Sequence, residues 1–178
     1  MLVIPLVILW GTVRERAMEI PLVTATAILR ASEAPVAPVE FSAVERNVRK
    51  WIGDAKGKLD TALVIAELDK LAPVAAAYEK ALAANPALDG ARLKKLNAIL
   101  IQAEQALTRP KGLPQRPWYQ NQMAAPGLYT GYGFVTLPGV NESLELGRKE
   151  EAQAGVAELA AALANFRGVA EQALAVIQ

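Results

Sequence analysis

Apolar residues that recur every three or four positions predict a chain built from amphipathic helices. In the first such segment the residues sharing one face are Phe41, Val44, Val48 and Trp51. Ser42 and Glu45 have the spacing of a capping box, in which each side chain satisfies a free amide of the first helical turn. These signals predict a first helix over residues 41–56.

A stricter alternation of four and three residues follows, as expected for a helix that packs along a partner helix. Its apolar stripe consists of Val64, Leu68, Leu71, Ala75, Tyr78 and Leu82. The pattern predicts a second helix over residues 59–84. Pro73 removes one backbone donor inside it, so we expect a kink over residues 69–73.

The pair Asn85-Pro86 has the residue types favoured at the N-cap and first position of a helix. It predicts the start of a third helix, over residues 86–108. The residues expected to be buried there are Leu93, Leu96, Leu100, Ala103 and Leu107.

The last predicted helix is the longest, over residues 141–177, with Asn141 as its expected start. The candidate core or interface residues at the centre of its apolar seam are Val156, Leu159, Leu163 and Phe166. Small residues surround this seam and leave a second face of the helix only weakly polar. Because an apolar face is normally buried, we expect a second molecule or the N-terminal part of the chain to cover it.

Between the third and last helices lies a segment of different composition, residues 109–140. It holds five of the eleven prolines and five of the twelve glycines. It also holds five of the ten aromatic residues, whereas disordered segments lack aromatics. We therefore predict an all-α four-helix bundle with a long ordered loop, rich in Pro, Gly and aromatics, before the last helix.

The N-terminal residues 1–30 are expected to form an apolar arm attached to a helical domain over residues 31–178. The apolar run over residues 2–9 is too short to cross a bilayer and lacks the basic start and cleavage site of a signal peptide. We interpret it as a buried strand or packing arm, with a membrane-surface anchor as the alternative. Overall, we do not expect membrane association.

Composition restricts the chemistry that this chain can perform. It contains no cysteine and no histidine, which excludes thiol nucleophiles, histidine-dependent triads and Cys/His metal sites. Nineteen basic against 18 acidic residues give no electrostatic reason to expect nucleic acid. The carboxylate pairs Glu67/Asp69 and Glu150/Glu151 do not have the spacing that places two side chains on one helix face. We therefore predict a protein that is not an enzyme, with no metal and no cofactor.

Several longer strings carry a resemblance to a known family. They are LNAILIQAEQALT (96–108), GLPQRPWYQNQ (112–122) and APGLYTGYGFVTLPGV (125–140), followed by the alanine-rich last helix. Together they resemble the transferrin receptor-like dimerisation domain, the C-terminal domain of glutamate carboxypeptidase II-like zinc peptidases of the M28 family. The entry ILRASEAPVAPVEF (28–41) is similar to the crossing from the peptidase domain. The resemblance covers residues 28–178.

This resemblance implies a helical module that joins two subunits and lies outside the cytoplasm. In the family the zinc ligands belong to a separate peptidase domain, and the turn-rich loop helps to wall the pocket for the terminal residue of the substrate. The loop tyrosine that binds the substrate carboxylate in glutamate-specific members matches Tyr129. The lysine that precedes it there is Leu128 here, which weakens the case for an acidic substrate side chain. Gln120-Asn121 replaces an Arg-His pair of the relatives.

Two functional hypotheses follow. The first is a non-catalytic dimerisation module that forms a homodimer or binds a peptidase domain. The second is a fragment that completes the substrate pocket of a zinc carboxypeptidase whose catalytic domain is on another chain or missing. A peripheral membrane protein that uses residues 1–10 is a third and weaker hypothesis.

Overall fold

The computed structural model describes residues 24–26, 28–29, 32–129, 131 and 133–178. The chain divides into two compact units, Met1–Pro38 and Val39–Gln178. In the first unit, residues 24–26, 28–29 and 32–33 are helical. Most of the predicted arm over residues 1–30 lies outside the described residues, so the domain boundary expected near residue 30 stays a prediction. No described helix is long and apolar enough to cross a bilayer.

The second unit is mainly helical, as the apolar periodicity predicts. Its helices are α1 (Phe41–Gly53), α2 (Ala62–Ala84), α3 (Gly90–Leu100), α4 (Gln102–Ala106), α5 (Pro138–Glu145) and α6 (Lys149–Ile177). The described residues also form one antiparallel pair of strands, β1 (Ala124–Pro126) and β2 (Phe134–Thr136), with Ala125 opposite Val135. The predicted third and fourth helices are therefore each divided into two shorter ones.

Helix α6 is the centre of this unit. It packs most extensively on α2 and also contacts α5, α3 and α4. Its buried side includes the four predicted seam residues Val156, Leu159, Leu163 and Phe166, and it continues from Ala152 to Ile177. In α2, the residues of the predicted apolar stripe from Val64 to Tyr78 are at most 1% exposed. The core is thus the interface between the two helices whose periodicity is most regular.

Three aromatic rings from three helices meet in this core. The rings of Tyr78 and Phe41 meet in a T-shaped arrangement, with centroids 4.9 Å apart and planes at 87°. Phe41 also contacts Phe166, with centroids 5.0 Å apart. The Tyr78 hydroxyl is buried and has no hydrogen-bond partner. Burial, and secondarily the charge of Glu79, raises the pKa of Tyr78 to about 12 from its usual value of 10.0.

The Tyr78 hydroxyl makes an alkaline pH dependence of stability testable. Below pH 10 the phenol is neutral in both states, whereas between pH 10 and 12 only the unfolded chain ionises, so stability is expected to fall across that window. Tyr78→Phe should abolish this fall. Because it removes an unpaired buried hydroxyl, it should also raise the free energy of unfolding at pH 7 by about 1 kcal/mol. Urea unfolding of both proteins at pH 7 and pH 11 tests this, and an equal alkaline loss in the variant would contradict it.

The predicted capping box at the start of α1 is wrong. The helix begins at Phe41, so Ser42 already lies inside its first turn and no side chain caps from the N-cap position, Glu40. Instead, the backbone N–H of Ser42 donates to Glu79 Oε1 of α2 at 3.1 Å. The carboxylate of Glu45 forms an ion pair with Arg49, with Arg49 Nε and Glu45 Oε1 2.6 Å apart. The carboxylate of Glu79, on another helix, therefore satisfies an N–H of the first turn of α1, which Ser42 and Glu45 were predicted to do.

The start predicted for the third helix is also wrong. Asn85 caps the C-terminus of α2, where its Nδ2 donates to the carbonyl of Ala81 at 2.9 Å. The next helix starts at Gly90 behind Asp89, whose Oδ1 accepts the backbone N–H groups of Ala91 and Arg92. Asp89 is a favoured N-cap residue as well, and it makes both bonds. Helix α2 continues through Pro73, and the kink stays a prediction.

The predicted single last helix is interrupted at Gly147, which has a φ of +71°. The N–H of Gly147 donates to the carbonyl of Leu144, and that of Arg148 donates to the carbonyl of Ser143. These two bonds form a Schellman motif, which ends α5 before α6 starts at Lys149. The helix before this turn begins at Pro138, not at Asn141. Asn141 donates its Nδ2 to the carbonyl of Thr136 at 2.6 Å.

Candidate functional site

The aromatic loop, defined here as residues 109–137, is folded back on itself by backbone hydrogen bonds. Arg109 N–H donates to the carbonyl of Gln120, and Leu113 N–H to that of Tyr119, both at 2.8 Å. Further along, the N–H of Gln122 reaches the carbonyl of Leu107 at 3.1 Å. These bonds hold residues 107–122, the first half of the loop, in a closed turn. Thr130 and Tyr132 lie outside the described residues.

A buried arginine ties the aromatic loop to α5. The Nη1 of Arg116 donates to the carbonyl of Pro126 in β1 at 2.6 Å, and Nη2 donates to Glu142 Oε1. The side chains of Arg116 and Glu142 are 9% and 10% exposed. The guanidinium also lies 5.6 Å from the ring centroid of Tyr119, whose hydroxyl donates to the carbonyl of Ala124. One cation therefore connects the proline-rich turns, the hairpin and the helix that follows.

This arginine–glutamate pair was not predicted from the sequence. Arg116 and Glu142 are 26 residues apart, and no periodicity or motif links them. The available signal was indirect: a charged residue inside a string of Pro, Trp and Tyr. A pairing of this kind depends on the path of the loop, which the sequence pattern does not give.

An open cavity of about 270 Å³ lies between the hairpin and α5. Leu128, Val135 and Leu146 supply apolar lining, and Tyr129 supplies a phenol. Glu142 and Glu145 add two carboxylates. The two residues that the family resemblance assigns to a substrate pocket, Leu128 and Tyr129, are thus brought to one cavity. Tyr129 is 80% exposed.

The four candidate core or interface residues of α6 lie inside the chain. Val156, Leu159, Leu163 and Phe166 are each at most 1% exposed. A different face of the same helix is open to solvent: its exposed residues include Ala154, Ala157, Ala161, Asn165, Gln172 and Ala175. This exposed face, called the alanine face below, extends for about 30 Å at 1.5 Å per residue. Between its ends the nearest charged residues are Glu158 and Glu171, and Glu150 lies one turn before Ala154 on the same side.

The charged residues nearest to the centre of the alanine face are paired within the chain. Glu158 is 3.1 Å from Arg109 of the aromatic loop, and Arg167 pairs with Glu171. Arg167 also reaches Glu67 of α2 at 3.5 Å. The pKa of Arg167 is raised, first by its hydrogen bond with Glu171. The pairs Glu158–Arg109 and Arg167–Glu67 join α6 to other elements, whereas Arg167–Glu171 lies within α6.

The carboxylates of the helices act as structural partners. The Nζ of Lys70 donates to Glu67 at 2.6 Å, and this bond lowers the pKa of Glu67. Asp69 accepts from Arg49, and Glu151 from Ser143. No three carboxylates come together as a metal site within the described residues. Since the chain also lacks His and Cys, its donor set does not fit the zinc site of a peptidase.

Comparison with protein families gives a match over residues 40–169, to the transferrin receptor-like dimerisation domain. A probable glutamate carboxypeptidase LAMP1 from Arabidopsis thaliana is 28% identical over 129 residues, which are 68% of this chain and 18% of that protein. A probable glutamate carboxypeptidase from Arthroderma benhamiae is 42% identical over 59 residues, which are 33% of this chain and 8% of that protein. The chain thus spans less than a fifth of the length of these relatives.

Proposed function

Because this chain belongs to the transferrin receptor-like dimerisation domain family, we propose that it is a non-catalytic module that forms a homodimer. The observation that carries the proposal is the alanine face of α6. Small side chains such as Ala157 and Ala161 allow the backbone of a second helix to approach closely, and the nearest charge, Glu158, already has a cationic partner in Arg109. The apolar residues of the seam pack inside each subunit, so the alanine face remains for contact between subunits.

Charge placed on the alanine face should dissociate the dimer without unfolding the subunit. Ala161 is exposed, so Ala161→Glu adds no buried charge to the monomer. In a two-fold interface the substitution places two like charges close together, and we expect the dissociation constant to rise at least about tenfold. Sedimentation equilibrium at micromolar protein measures this, with circular dichroism as the check on folding.

Ala66→Glu is the matched control, since Ala66 is an exposed alanine on another helix, α2. We expect it to leave the dimer unchanged. A wild-type protein that sediments as a monomer at every concentration would contradict the proposal. So would equal dissociation by the two glutamates, because it would show that the alanine face has no special role.

A second candidate function is the completion of a substrate pocket in a zinc carboxypeptidase that has its catalytic domain elsewhere. It is favoured by three large side chains of the aromatic loop, Trp118, Tyr129 and Phe134, which are 77%, 80% and 73% exposed. Exposed apolar groups of this size are typical of contact surfaces when several come from one segment. The relatives are named as probable glutamate carboxypeptidases, and most of their length lies outside the matched region.

Complementation tests this second function. A related peptidase domain that lacks its C-terminal domain is assayed with and without the chain. We expect the chain to restore activity, and Tyr129→Phe to restore it with a raised KM and an unchanged melting temperature of the chain. No restoration by the wild-type chain, or full restoration by Tyr129→Phe, would contradict the assignment of Tyr129 to a pocket.

A further inference from the structure

The cavity between the hairpin and α5 combines apolar walls with two acidic residues. Leu128, Val135 and Leu146 offer hydrocarbon surface, and Tyr129 offers an aromatic ring. No Lys or Arg is among the described residues that line it, whereas two carboxylates are. Such a cavity suits a ligand with an apolar stem and a positive end.

The two carboxylates differ in their state of pairing. Glu142 is buried, and its charge is balanced by Arg116. Glu145 is exposed, and no described residue forms an ion pair with it. A neighbouring depression shares Val135 and Glu145 and adds one charge of each sign, from Asp54 and Lys58. About one negative charge, at Glu145, therefore remains without a cationic partner.

From this lining we infer that the cavity binds a lysine or arginine side chain of a peptide. The methylene groups of such a side chain can lie on Leu128 and Leu146 while the cation reaches the Glu145 carboxylate. The ring of Tyr129 adds a surface that attracts cations. An acidic side chain would meet a carboxylate instead. The inference deepens the second candidate function, on which its biological meaning rests, by assigning the substrate side chain that this pocket selects.

The test measures binding to the full chain alone, so its result is independent of dimer formation and of complementation. The probes are the N-acetyl, N-methylamide derivatives of lysine, norleucine and glutamate, which differ in side chain and carry no terminal charge. Binding is followed by amide and methyl chemical shifts in NMR titrations. We expect the lysine probe to shift the resonances of Leu128, Val135 and Leu146. The uncharged norleucine probe should bind about three- to fivefold more weakly, the upper part of the range for one exposed ion pair.

Two variants and a control locate the effect. Glu145→Gln should weaken binding of the lysine probe by the same three- to fivefold, whereas Glu104→Gln, at an exposed position on α4, should change nothing. Leu128→Lys should abolish the preference for lysine over glutamate, because it places a cation in the cavity lining. Tighter binding of the glutamate probe to the wild-type chain would overturn the inference. Shifts outside the cavity, or no effect of Glu145→Gln, would overturn it as well.

Discussion

Replacement of Gly155 by alanine is expected to destabilise the folded unit by about 3 kcal/mol, the upper end of the usual range for an overpacked core. Gly155 lies in α6, where the helix touches the start of α5. A Cβ atom at this position would come within 2.3 Å of the carbonyl oxygen of Gly139 and 2.8 Å of its carbon. Both atoms belong to the backbone, so no side-chain rotation can relieve the contact. The variant must separate α5 from α6, which also disturbs the wall of the cavity.

Gly168→Ala is the matched control in the same helix. A Cβ there would meet nothing within 4 Å, so the better helix propensity of alanine should stabilise the protein by about 0.5–1 kcal/mol. Guanidinium unfolding at one fixed protein concentration compares the three proteins. Equal stability of Gly155→Ala and the wild type would contradict the close contact between the two helices.

The second large effect is expected at the buried ion pair of the aromatic loop. Arg116→Met leaves Glu142 as an uncompensated buried charge and removes the hydrogen bond to the carbonyl of Pro126. Loss of one partner of a buried pair costs about 3–5 kcal/mol. We expect the free energy of unfolding to fall by that amount, measured by urea unfolding at pH 7.

A double variant separates the destabilisation by the unpaired Glu142 charge from the destabilisation by the lost packing of Arg116. Arg116→Met with Glu142→Leu removes both charges and should recover a large part of the stability, as a double-mutant cycle would quantify. Arg148→Met is the control, because Arg148 and Glu151 form a more exposed pair, 3.5 Å apart. It should cost less than about 1 kcal/mol. A similar loss for Arg116→Met and Arg148→Met would show that the buried pair does not organise the loop.

The core of this protein could be read from its sequence because it follows a regular period. The stripes of α2 and α6 are long enough for a four-three alternation to identify their buried sides. In the shorter helix α1 the apolar periodicity predicted the buried side less accurately. Its buried residues are Phe41, Glu45, Val48 and Ile52, whereas Val44 and Trp51 are half-buried. Glu45 can occupy the buried side because Arg49 holds its charge.

Helix boundaries and the candidate cavity were less predictable because they depend on distant partners. Glu79 caps α1 from another helix, which no local motif reveals. The break at Gly147 had a local signal, a glycine inside a helical pattern, and the strength of the surrounding periodicity obscured it. The family strings pointed to Leu128 and Tyr129, but Glu142 and Glu145 join them only through the folding of the loop against α5.

The contact of Gly155 with Gly139 also determines which genetic changes this region can tolerate. Each residue of an α-helix turns the chain by about 100°, so one inserted or deleted residue in the first turns of α6 would rotate Gly155 away from α5. A neighbour with a side chain, Ala154 or Val156, would then face the Gly139 carbonyl. The short stretch between the Gly147 turn and Gly155 can therefore vary in the identity of its solvent-facing residues, whereas its number of residues is fixed.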